Sequence, residues 1–140
     1  MKQLTYAMQF KGSAAPKDDA NPGVLGVQAN GKSVGSALTG TLVDAAKADF
    51  NSTVRMMEEG TFDEDGTISF GNGNSLRFST LNKGHVAPSP EAGVTAGAII
   101  WKIDGGEGQF AGATGLITSN FFFNEAGEVT DNQFGVIFTE

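Results

Sequence analysis

Apolar and polar residues alternate with a period of two over Leu4-Thr5-Tyr6-Ala7-Met8-Gln9-Phe10, the large apolar side chains falling on even positions. A period of two places successive side chains on opposite faces of an extended chain, so this segment predicts a strand with one buried face. The stretch from Gly12 to Gly23 carries Pro16, Asp18, Asp19, Asn21 and Pro22 and reads as a loop. Asn30-Gly31 is a type I′ hairpin signal, with strand-like Val24–Gln28 before it and Ser33–Val43 after it. Asp44–Asp49 suits either one helical turn or a polar loop.

The longest strand candidate is Ser52–Phe62. Its even positions, with Val54, Met56 and Phe62, are the more apolar, which turns Glu58 inward and Glu59 to solvent. Asp63-Glu64-Asp65-Gly66 then reads as a hairpin turn, followed by a strand over Thr67–Phe70. Gly71–Asn74 is another turn or a bulge, and Ser75–Leu81 resumes the alternation with Leu76 and Phe78 on one face. Asn82–Gly93, with His85, Pro88 and Pro90, reads as a second long loop. Val94–Asp104 is a strand rich in Ala, Ile and Trp101; Gly105–Gly108 breaks it ahead of Phe110. Ala113–Phe123 and Glu128–Phe138 are strands joined by the turn residues Asn124–Gly127. About eight short strands at regular spacing, with no sustained 3.6-residue period, predict an antiparallel all-β barrel or sandwich with little or no helix.

Length confines this pattern to one domain over residues 1–140, since a domain takes roughly 150 residues. The 20 glycines suit a turn-rich β domain, and 11 Phe beside one Trp and one Tyr suit a dry core. Nine Lys and Arg against 16 Asp and Glu give a net charge of −7, which argues against nucleic acid and anionic membranes as partners. With no cysteine, disulfides, thiolate metal sites and cysteine nucleophiles drop out. The start of the chain shows no secretory apolar stretch, and no run approaches the roughly 18–20 residues that span a bilayer. A cytoplasmic location is the expectation, and the sequon Asn51-Ser52-Thr53 reads as ordinary strand.

Candidate chemistry is sparse. Gly31-Lys32-Ser33-Val34-Gly35 matches the G-x-S-x-G nucleophile elbow, but it lacks the strand-to-helix context, and the chain has one histidine. Gly106-Glu107-Gly108-Gln109-Phe110-Ala111 matches a dinucleotide fingerprint, yet another strand follows where a helix is needed. The acidic group Glu58, Glu59, Asp63, Glu64 and Asp65 does not have the spacing of a calcium loop and reads as a solvated strand end; no metal site is expected. His85, in its proline-flanked loop, is a candidate ligand contact.

The segment Gly105–Phe121, GGEGQFAGATGLITSNF, resembles the C-terminal half of the allene oxide cyclase and dirigent barrel superfamily, including uncharacterised bacterial domains of that kind. The match lies in Gly105, Gly106, Gly108, Phe110, Gly112 and Gly115, and Phe110 is placed to plug one barrel end. The resemblance implies a closed eight-stranded antiparallel barrel with an apolar lumen, no cofactor and assembly as a homo-oligomer. Characterised members bind hydrophobic intermediates and steer ring closure or radical coupling through lumen carboxylates; Glu58 is the inward carboxylate the alternation offers here. The expected lumen lining is Tyr6, Met8, Met56, Glu58, Phe78, Trp101 and Asn120. The leading functional expectation is a barrel binding a small apolar or amphipathic molecule, with isomerase or cyclase activity as an option and Glu58 as acid or base. The competing one is a structural or oligomerisation module whose barrel is filled by side chains.

Overall fold

A computed structural model describes residues 1–33 and 47–140. Nine strands occur in it: β1 (Lys2–Pro16), β2 (Val24–Ser33), β3 (Lys47–Met56), β4 (Thr61–Ser69), β5 (Ser75–Thr80), β6 (Gly84–Pro88), β7 (Val94–Glu107), β8 (Thr114–Asn124) and β9 (Glu128–Thr139). All pairings are antiparallel, and they close a barrel in the order β1-β2-β3-β4-β5-β7-β8-β9 and back to β1. The barrel has eight staves because β5 and β6 share one: each pairs with both β4 and β7, and the break at residues 81–83 separates them. Short 3-10 turns occur at Glu58–Gly60 and Gly108–Phe110. No helix among the described residues is long and apolar enough to cross a membrane.

Rings seated on glycines hold the inward face together. Four inward aromatics stand directly opposite a glycine on the neighbouring strand: Phe10 and Gly31, Tyr6 and Gly135, Phe62 and Gly84, Phe121 and Gly97. At each of these glycines a Cβ would come within 2.4 Å of the partner's ring. The ring therefore lies flat in the space a side chain would take, and lumen width is used without a clash. This corrects the hairpin expected at Asn30-Gly31. Gly31 is a mid-strand residue of β2, paired with Phe10, because its missing side chain is needed for packing and not for a turn.

Other turn assignments shift for similar reasons. The expected strand Ser52–Phe62 is two strands, and the chain reverses at Met57–Gly60, where Glu59 and Gly60 adopt left-handed φ of 58° and 72°. Asp63–Gly66 is not a turn but part of β4. Its two Asp side chains point outward to Arg55 on β3, with Asp65 Oδ2 at 2.7 Å and Asp63 Oδ1 at 3.4 Å from Nη1. A cross-strand cation makes these acidic residues compatible with a strand. The expected loop at residues 82–93 contains β6, and β1 runs on to Pro16. Lys47–Asp49, in the helical turn or polar loop expected at Asp44–Asp49, belong to β3; residues 34–43 of the expected strand, which include Val34 and Gly35 of the G-x-S-x-G match, and residues 44–46 lie outside the described residues.

One half of the lumen is solid. Phe50, Phe78 and Trp101 are in mutual ring contact, with Phe78 and Trp101 centroids 4.3 Å apart, and Phe10 packs on Phe50. Tyr6, Phe70 and Phe110 continue the packing to the end that carries both termini, at centroid separations of 5.6 and 5.5 Å. Phe110 is fully buried, as expected of an end plug. Replacing it with Ala should cost about 3–5 kcal/mol in a denaturant titration, the usual loss for a buried Phe. A loss below about 1 kcal/mol would show that the end closes without it.

Candidate functional site

The opposite half of the barrel is open. At the end carrying the β1–β2, β3–β4, β6–β7 and β8–β9 connections, a cavity of about 80 Å³ is lined by hydrocarbon, including Leu25, Val27, Val54, Met56, Phe121 and Phe123. Phe50, shared with the aromatic fill, also lines it. Met56 is 39% exposed, which marks the mouth. Two carboxyls face this apolar space, Glu64 from β4 and Asp131 from β9. Their staves are diametrically opposite: β4-β3-β2-β1-β9 one way round the ring and β4-β5-β7-β8-β9 the other, four steps each.

Each carboxyl is held by a hydroxyl from a nearby strand. Ser52 Oγ donates to Glu64 Oε2 at 2.5 Å, and Ser119 Oγ donates to Asp131 Oδ1 at 2.5 Å. Gln133 Nε2 donates to Asp131 Oδ2 at 2.8 Å, and the Tyr6 hydroxyl donates to Gln133 Oε1 at 3.0 Å. The backbone of Glu64 is fixed where the β5/β6 stave breaks: Thr80 Oγ1 accepts from its N–H at 2.6 Å and donates to its C=O at 2.8 Å. The buried indole N–H of Trp101 lies close enough to favour the charged form of Glu64, although it makes no hydrogen bond of good geometry among the described residues.

Burial dominates the electrostatics. It pushes the Glu64 carboxyl up to about 8; Ser52 opposes the rise, and the charges of Asp131 and Asp65 add to it. Burial also raises Asp131, to about 6, against the hydrogen bonds from Ser119 and Gln133. The Tyr6 phenol is pushed well above its ordinary value by burial and then by Asp131. Near neutral pH the pocket therefore holds a neutral carboxyl on one wall and a carboxylate on the other. Environments that separate two titratable groups in this way set up an acid and a base.

The expected lining residues divide. Tyr6, Met8, Phe78 and Trp101 are buried and inward, but they belong to the filled half and its hydrogen bonds. Met56 lines the mouth. Glu58 is corrected: it sits exposed in the 3-10 turn after Met57, because β3 ends two residues before it and the alternation stops there. Asn120 is also corrected; it is exposed on the outside of β8, and its neighbour Ser119 takes the inward place. His85 lies exposed on β6, outside the barrel in a groove with Lys83, Ile100 and Asn120.

The pair that the structure assembles was hidden by local chemistry. Glu64 sits inside an acidic, glycine-ended tetrapeptide that reads as a turn. In β9 the apolar signal is inverted, with Asp131 and Gln133 inward and Phe134 outward. The usable signal is the pairing of β9 with β1, where Tyr6 and Phe10 must face in and lie opposite Gly135 and Asp131. Among the described residues no three His, Asp or Glu side chains gather in a way that could hold a metal ion.

Raised carboxyl values make a prediction about stability. A carboxyl whose folded value lies above its unfolded one stabilises the fold fully only below the unfolded value, and that stability is lost as pH rises through the folded one. The thermal midpoint should therefore fall between about pH 4 and pH 6 through Asp131 and on to about pH 8 through Glu64. Glu64→Gln should flatten the upper part of this fall, from pH 6 to 8, in a melting series. A midpoint that rises with pH over that range in the parent protein would contradict the burial of Glu64.

In comparisons with known proteins, no family model, no curated protein and no solved structure matches this chain.

Proposed function

We propose that the protein binds a small, neutral, largely apolar molecule in the open half of its barrel, polar group inward against Glu64 and Asp131. The observation that carries this reading is the pair of buried carboxyls lining one hydrocarbon cavity. Burying two ionisable groups opposite each other is costly, and a fold that needed only a core would gain by replacing them with apolar side chains. An apolar wall with a few fixed polar groups is the usual make-up of a small-molecule site. The Gly105–Phe121 resemblance to allene oxide cyclase and dirigent barrels supports the same reading. A cavity of about 80 Å³ favours a small ring whose remainder projects past Met56 and Phe123.

The test uses cyclohexanone as the probe, followed by ligand-observed NMR. Ala14, half-buried and inward at the mouth, offers a block: Ala14→Phe fills the entrance where the wall is already partly solvated. Saturation transfer to cyclohexanone should be present in the parent and lost in the variant. Equal transfer in both would overturn lumen binding. The aromatic fill of the other half favours the second reading, a structural module, which gains if cyclohexanone shows no transfer at all.

The reading includes self-association through the outer face of β8 and β9. Phe134 is 50% exposed there, and Leu116 and Phe122 of β8 and Ile100 of neighbouring β7 are all above 40%. β8 carries no charged residue, and the outward positions of β9 from Thr130 to Phe138 are uncharged. On a chain of net charge −7, two copies meet with least repulsion at such a face. Sedimentation should show an oligomer that Phe134→Lys dissociates. A parent protein that sediments as a monomer would overturn this assembly.

A further inference from the structure

We propose that the pocket is a proton-transfer site for small ketones, in which Glu64 on β4 engages the carbonyl oxygen and Asp131 on the opposite stave removes the α-proton, so that a β,γ-unsaturated ketone is converted to its conjugated isomer. This activity rests on the lumen-binding reading above.

The geometry sets the roles. A ligand lying across the cavity has one carboxyl on each side, since β4 and β9 are four staves apart in either direction. Ser52 donates to Glu64 Oε2, which leaves Oε1 to carry an acid proton into the pocket. Asp131 receives hydrogen bonds on both oxygens, from Ser119 and Gln133, which hold its charged form ready in a site otherwise hostile to charge. No Lys or Arg lines the pocket among the described residues, so nothing there would neutralise an anionic ligand. A neutral molecule with an acceptor at one edge and an acidic C–H at the other fits both groups; a ketone has both.

The step balances without a co-reactant. The Asp131 carboxylate takes the proton from the α-carbon while Glu64 passes its proton to the carbonyl oxygen. The C–H electron pair forms the new C=C bond of a dienol. Asp131, now protonated, returns its proton to the γ-carbon, the dienol collapses to the conjugated ketone, and Glu64 recovers its proton from oxygen. Both residues end as they began. Water would level both groups, and the hydrocarbon lining keeps it away from the reacting atoms.

The titratable groups bearing on the pair are each other, Tyr6 from β1 and the outward Asp65 next to Glu64. The rate needs Asp131 ionised and Glu64 neutral. It should therefore rise through about pH 6 and fall through about pH 8.

The experiment follows conversion of cyclohex-3-enone to cyclohex-2-enone by ultraviolet absorbance, with binding of the same ketone read by NMR. The parent protein should exceed buffer. Asp131→Asn and Glu64→Gln, each verified as folded by circular dichroism, should lose about 100-fold or more, the lower range for a positioned acid or base. Glu58→Gln, in the exposed turn, should keep the parental rate. Binding without conversion would overturn the proton-transfer proposal and leave lumen binding standing; no binding would overturn both. A folded Asp131→Asn variant at the parental rate would also overturn it. If that variant does not fold, the parental pH profile decides: a rate that stays flat below pH 6 overturns the role of Asp131.

Discussion

The barrel depends on aromatic rings lying over glycines on neighbouring strands. An eight-stranded barrel has an interior just wide enough for side chains to fill. Here Tyr6 over Gly135 and Phe10 over Gly31 bring large rings to the axis without pushing the staves apart. With those rings in place, Phe50, Phe78 and Trp101 pack against one another and close off half the lumen. At the other end Phe62 and Phe121 lie over Gly84 and Gly97, 5.8 Å apart in an edge-to-face contact, and form wall instead of plug. The same device thus yields a solid half that supplies rigidity and an open half that supplies a site.

The solid half also accounts for the electrostatics of the open one. A carboxyl shifts far from its ordinary value only where water is excluded and the surroundings cannot rearrange to solvate it. Glu64 meets that condition because Phe50 and Trp101 lie to one side and Val54 and Phe62 line the wall beside it. Its backbone is pinned by Thr80 at the gap between β5 and β6, so it has little freedom to turn outward. Asp131 is shifted less because two donors, Ser119 and Gln133, partly replace its lost water. Glu64 is raised further by the charges of Asp131 and Asp65, for which Asp131 has no counterpart, and Tyr6 joins the filled half to Asp131 through Gln133.

The all-β class and most strands were legible in the sequence because period-two alternation and glycine-rich turns report directly on a half-buried sheet; that pattern left barrel and sandwich open, and the choice of a closed barrel rested on the resemblance of Gly105–Phe121. The inward positions of Tyr6, Met8 and Phe78 follow from that period, and that of Trp101 from the apolar run of Val94–Asp104. The site was not legible in the same way. Glu58 fits the alternation of Ser52–Phe62, and only the left-handed turn at Glu59 and Gly60 takes it out of register. Glu64 looks like turn chemistry until Arg55 is brought alongside Asp63 and Asp65. Asp131 and Gln133 occupy inward places that hydrophobicity would give to Phe134, an inversion visible only after β9 is registered against β1. Local patterns report burial of apolar residues well; they report buried polar groups poorly, because those depend on partners far away in sequence.

The chemistry of the site turns on two opposed carboxyls in a dry half-lumen holding different protonation states at neutral pH. Carbon-13 NMR titration of the side-chain carboxyls, assigned through Glu64→Gln and Asp131→Asn, reads both states separately. Glu64 should titrate at about pH 8 and Asp131 at about pH 6, so that at pH 7 one is neutral and the other charged. Both carboxyls titrating near pH 4, as solvated groups do, would contradict it.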